Sequence, residues 1–183
     1  MRNSFLRKAK TQHTSINILK FLHEEKIVMT TYEFVSPATG KCVPIEAIYD
    51  KTLSSKALGD GVAIFPASGE GTVSAPCDCV VSRVSEAKNA VTILDTVRDI
   101  EMLLCAEVDS EMHNPKISFC VEPGQTVKTG ETLFTCDVDD IRAHGYQVEF
   151  PCIITNAPLS SIHVTSGDVI RGESNILSCE SVG

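Results

Sequence analysis

Apolar residues in the body of this chain fall in short runs broken by Gly, Pro, Asn and Asp. The segments GVAIFP, GTVSAP, CVVSRV, AVTILD, EMLLCAEV, ETLFTCDV and PCIITN follow one another from Gly61 to Asn156. Runs of this length at regular spacing predict an all-β sandwich or barrel. Within EMLLCAEV, alternation puts Met102, Leu104 and Ala106 on one face, the better core face, and Leu103, Cys105 and Glu107 on the other. Helical periodicity is weak. The main exception in the body is VDDIRAHG, Val138 to Gly145, which reads as one or two helical turns closed by Gly145. Ahead of the β-rich part, SINILKFLHEEK predicts a short helix over 15–26, with Ser15 as its cap and Ile18, Leu19 and Leu22 on one face. Its amphipathicity is modest, and it reads as a docking or interfacial helix.

This pattern divides the chain into an N-terminal extension over 1–31, partly helical or disordered, and a single β domain over 32–183. Met29 stands just before the domain, so 1–28 read either as an extension or as an over-long translation start. A faint echo links VKTGE at Val127 with VIRGE at Val169: each follows a Gly-containing turn and precedes a strand-like run. A duplicated strand-turn-strand unit accounts for it.

Composition narrows the choices. A chain of 183 residues, 43% of them hydrophobic, builds one ordinary domain with a real core. Eight cysteines without a secretory signal pattern point to a reduced, cytoplasmic protein rather than a disulfide scaffold. No apolar run is long enough to span a bilayer as a helix. Residues 1–23 carry Arg2, Arg7, Lys8, Lys10 and Lys20 and no acid, which leaves −13 on the rest of a chain whose total is −8. An acidic body argues against nucleic-acid binding. The cationic head is a candidate for peripheral contact with an anionic membrane or an acidic partner.

Several segments, taken in order, resemble the glucose-type IIA component of the bacterial phosphoenolpyruvate-dependent sugar phosphotransferase system. They are SPATG through VPI at Ser36 to Ile45, GDGVAI with Pro66, VSAP at Val73, EPGQTV at Glu122, GETL at Gly130, and PCIITN at Pro151. Together they cover about 34–180. The resemblance implies a compact antiparallel β-sandwich or barrel. It also implies a two-histidine chemistry in which one imidazole takes a phosphoryl group from the carrier HPr and passes it to a IIB domain, supported by the other. The acceptor of the family lies in a segment of the form apolar-apolar-His-apolar-Gly-apolar-Asp-Thr, and here that segment reads Leu103 to Ser110 with Cys105 at the acceptor position and Glu107 at the glycine. The supporting histidine follows a threonine two residues earlier; Asn89 and Ala87 stand at those positions.

Cys105 and Asn89 are therefore the candidate site residues. A thiol carries phosphate only as thiolate, and Glu107, expected on the same side of the strand, raises the thiol pKa and repels phosphate. Cys105 is expected at the old active face, partly exposed, with an unreactive packing role ahead of a redox or phosphoryl-accepting one. Cys77 and Cys79 share a face if extended, but no second chelating pair supports a zinc site, so neither metal nor cofactor is expected. Cys42, Cys120, Cys136, Cys152 and Cys179 read as core positions, and His113 as a surface loop residue within reach of the site.

The leading reading is a regulatory or binding module without the usual histidine phosphorelay, whose partners are an HPr-like carrier, a IIB domain or regulated enzymes. Two alternatives stand beside it: an active phosphotransferase component carrying phosphate on Cys105, and a thiol-based sensor. Enzymatic activity is left open, and the sugar is unspecified.

Overall fold

Alternation becomes architecture most directly in the strands around Cys105. In a computed structural model that describes residues 29–182, fifteen strands and two short α-helices form in those residues. The chain runs through β1 (Met29–Val35), β2 (Gly40–Pro44), α1 (Lys51–Ser54), β3 (Asp60–Pro66), β4 (Thr72–Ser74), β5 (Cys79–Val84) and β6 (Ala90–Asp95). It continues through β7 (Ile100–Cys105), β8 (Glu107–Val108), β9 (Ile117–Phe119), β10 (Thr126–Val127), β11 (Thr132–Cys136) and α2 (Val138–Ala143). The last strands are β12 (Val148–Ile154), β13 (Ile162–Val164), β14 (Gly167–Val169) and β15 (Asn175–Val182). The helix expected over 15–26 lies outside the described residues.

A nine-stranded sheet, in the order β10-β5-β6-β7-β12-β3-β2-β14 with β8 also paired to β12, forms the body. Two three-stranded sheets, β1-β15-β13 and β4-β11-β9, complete the fold. Every strand pair is antiparallel. The predicted inward face holds: Met102, Leu104 and Ala106 join Val91, Ile93, Phe134, Phe150, Cys152 and Ile154 in the main core. Leu103 and Glu107 are only half-buried on the opposite face.

That opposite face is not bare. Ile45–Ala47 form a 3-10 turn and α1 follows it, so 45–54 make a small lid that the apolar periodicity did not announce. Ile45, Ile48 and Leu53 from the lid pack with Ala63 of β3 and Ile153 of β12 in a second, separate apolar cluster. Asp50 starts α1 by accepting the Leu53 N–H at 2.7 Å, the short-range signal of a helix N-cap. β3 is thereby covered on both sides. Its Gly61 has no room for a side chain, since a Cβ there would lie 2.1 Å from the Cys152 carbonyl oxygen.

The helix expected at VDDIRAHG forms as α2, capped by the Asp137 carboxylate on the Asp140 N–H and ended at Gly145, φ 84°. The two echo segments adopt the same turn. Gly130 and Gly172 both have positive φ and donate to the carbonyls of Ala75 and Ser36, while Glu131 and Glu173 donate back to Lys128 and Ile170.

Candidate functional site

Cys105 closes β7, and Asn89 immediately precedes β6. Because Ala90 pairs with Cys105, the Asn89 carbonyl accepts the Ala106 N–H at 2.7 Å, so the two candidate residues meet across adjacent strands. On the other side β12 pairs with β7 up to Cys152↔Leu104 and with β8 from Glu149↔Glu107 in the same register. The gap falls where Pro151 stands across from Cys105, and a proline has no N–H to offer the ladder. Beyond Pro151 on the same face lies Ala63, which the lid covers.

Cys105 is only 4% exposed. This corrects the expectation of a partly exposed thiol: with β6 paired on one side, β12 on the other, and Asp50 of the lid and Glu107 close by, the side chain is shielded from solvent. Burial, with Glu107 and then Asp50 adding negative charge, pushes its thiol up to about 12. Glu107 and Glu149 stand directly opposite each other on β8 and β12. Burial and the neighbouring Asp50 hold both carboxyls above the usual range, and Glu149 adds to the effect at Glu107. The surroundings of Cys105 are thus apolar on one side and acidic on the other.

Asn89 does not aim its side chain at the thiol. Its Oδ1 accepts the Ser85 hydroxyl at 3.1 Å, while the N–H groups of Asn89 and Ala90 reach the Ser85 oxygen at 3.2 and 3.1 Å. Lys88, with φ 51°, lets the chain reverse between them. Asn89 works as part of the β5–β6 turn.

The histidines and the other cysteines are dispersed. His113 is exposed in the loop after β8; His144 sits at the end of α2 beside Asp140, and His163 on β13 faces Glu180. Cys42, Cys136, Cys152 and Cys179 are buried as expected, whereas Cys120 is exposed, because it follows β9 just as that edge strand ends. Among the described residues no group of three or more His, Cys, Asp or Glu side chains is arranged to hold a metal ion. None of the described helices is long and apolar enough to cross a membrane. Asp50 is the residue that sequence reasoning missed. Its signal was present, an acid immediately before Lys51-Thr52-Leu53-Ser54, but a helix of one turn leaves little periodicity.

Comparison with known proteins adds an independent line. The sequence model described as phosphoenolpyruvate-dependent sugar phosphotransferase system, EIIA 1 matches residues 32–159. The chain is 29% identical over 154 residues to the PTS system glucose-specific EIIA component of Borreliella burgdorferi, covering 83% of this chain and 80% of that protein. Its fold is similar to that of glucose permease IIA from Mycoplasma capricolum, with a TM-score of 0.66 and 21% identity over 81% of this chain and 96% of the other.

Proposed function

The chain belongs to the EIIA 1 family of the phosphoenolpyruvate-dependent sugar phosphotransferase system, and from that premise we propose that it is a regulatory or binding module that does not run the usual histidine phosphorelay. Members of this family interact with HPr and with IIB domains. The proposed role keeps such contacts, or contacts with regulated enzymes, and drops the transfer step.

The observation that carries this reading is the condition of Cys105 at the position the resemblance gives to the acceptor. A nucleophile toward phosphorus must be ionised and reachable. Here the thiol is 4% exposed and pushed up to about 12 by burial and by Glu107. Glu107, Glu149 and Asp50 add negative charge where a phosphoryl group would bring more. Both charged groups that act on Cys105, Glu107 and Asp50, are acids, which favours neither thiolate nor phosphate. Asn89, at the position of the supporting histidine, has its side-chain oxygen engaged by Ser85. What the face still offers is surface: the Tyr49 ring beside Asp50 is 92% exposed.

The test is incubation of the full chain with phosphoenolpyruvate, Enzyme I and HPr, followed by intact-mass analysis, with calorimetric titration of HPr and a IIB domain in parallel. The expected result is an unchanged mass together with binding to at least one of them. A phosphoryl adduct that disappears in Cys105→Ser would overturn the reading in favour of a phosphate-carrying cysteine.

A further inference from the structure

Two strands of this fold end with one side unpaired. β9 is the edge of its sheet and pairs only with β11. The Cys120 N–H donates to the Leu133 carbonyl at 2.9 Å, and Phe119 stands opposite Phe134. Bonding alternates along an antiparallel ladder, so the N–H and C=O of Phe119 point away from β11. β5 repeats the situation at its far end. There the Ser85 N–H donates to the Ala90 carbonyl at 2.9 Å and Val84 stands opposite Val91, so the N–H and C=O of Val84 point away from β6. On that outer side β10 pairs with Cys79 and Val80, and Gly124 and Gln125 bond Val81. Among the described residues no strand pairs with β5 beyond Val81 on this side.

Val84 and Phe119 line the same cleft, of about 500 Å³, together with Ile117, Val121 and Pro123. The Phe119 ring is held against that of Phe134, centre to centre 5.1 Å, which fixes this wall. Lys88, on the β5–β6 turn, and Glu122, just after β9, also border the cleft. Both are exposed, and neither has an ion-pair partner among the described residues.

We propose that this cleft receives an extended peptide from a partner protein, added as a strand to the open edges of β9 and β5. Outward-pointing N–H and C=O groups on two of its walls call for another extended backbone. The apolar lining suits apolar side chains at alternate positions of that peptide. Lys88 and Glu122 call for an acid at one position and a base at another. This charge pattern separates the occupant from nearer ones. Residues 1–23 of the chain carry five bases and no acid, so they answer Glu122 but not Lys88. A second folded copy has its β9 held by β11 and its β5 held by β6, which leaves it no free strand to insert. Cys105 does not line the cleft, and the inference does not rest on the role proposed for that residue.

The probes are short linear peptides selected from a random display library on the full wild-type chain and then synthesised. They are expected to carry an acid and a base around β-branched or aromatic residues, and to slow hydrogen exchange of the Val84 and Phe119 amides. Methylating the peptide nitrogens one at a time should weaken binding about tenfold at alternate positions only, the mark of a strand that bonds through every second residue. Lys88 and Glu122 are exposed, so reversing their charges leaves the fold intact. Lys88→Glu should weaken binding about fivefold, and a peptide with its acid replaced by a base should recover the loss. The proposal is overturned if selection yields no binder, if bound peptides leave both amides exchanging at their free rate, or if N-methylation is tolerated at every position. It is equally overturned if the full chain protects both amides before any peptide is added, which would give the cleft to its own N-terminal segment or to a second copy.

Discussion

Glu107 and Glu149 are a like-charge pair placed directly across two strands, an arrangement that weakens a sheet. Their raised pKa values fix the sign of the pH response. A carboxyl that binds its proton more tightly when folded than when unfolded takes stability away as pH rises through that interval. Glu149→Gln is therefore expected to stabilise the chain at neutral pH by about 0.5 kcal/mol. That advantage should shrink as pH falls toward 4.5, the ordinary value of a glutamate. Urea unfolding of both chains across this range checks it, and an advantage that grows on acidification would contradict the charge argument. The same scale separates the thiols. Cys120 is exposed and Cys105 is sealed, so timed alkylation should label Cys120 first and Cys105 only on the timescale of opening.

At the scale of elements, the lid over 45–54 decides how the outer face of the large sheet behaves. Asp50 has two effects there: it caps α1, and its charge helps to raise the Cys105 thiol. Asp50→Ala should cost about 1 kcal/mol through the lost cap, while increasing the alkylation rate of Cys105. A slower or unchanged rate with the same loss of stability would mean that the lid does not control this thiol. The lid also marks the limit of what was legible beforehand. β6 alternates strictly and β7 does so as far as Leu104, so the inward face of β7 could be read from the sequence, and α2 carries both a cap and a terminating glycine. The residues 45–54 make one 3-10 turn and one α-turn, too short for a period to emerge, and their apolar side chains have meaning only once Ala63 and Ile153 are beneath them. The exposure of Cys105 was misread for the same reason. Strand alternation assigns a side chain to a face but does not say what lies over that face.

For the whole molecule, the joint between sheets rests on Arg98, at the turn between β6 and β7. Its guanidinium lies 5.2 Å from the Tyr32 ring centre and 5.6 Å from that of Phe34, both on β1. The buried Asp95 carboxylate stands 3.2 Å away and also accepts the Val97 and Arg98 N–H groups. A planar cation suits two aromatic faces and a carboxylate at once. Arg98→Ala should lower stability by about 1–2 kcal/mol, and Arg98→Lys should recover less than half of that loss in thermal unfolding. Full recovery by lysine would mean that charge alone, without the stacked plane, joins the sheets.

β1 and β15, the first and last strands of the described chain, are partners from Met29↔Val182 to Phe34↔Leu177. Seen as an event in time rather than a contact, this pairing is the longest wait in the fold. During synthesis the hydrogen-bonding edge of β1 stays unpaired until Asn175 and the residues after it have emerged, and pairings so distant in sequence are slow to form. A chain interrupted before Asn175 would carry that open edge permanently, together with the apolar Phe34 that β15 should cover, and open edges recruit other chains. The closing strand thus acts as a check on completeness: an unfinished copy of this protein would be recognised by its tendency to aggregate.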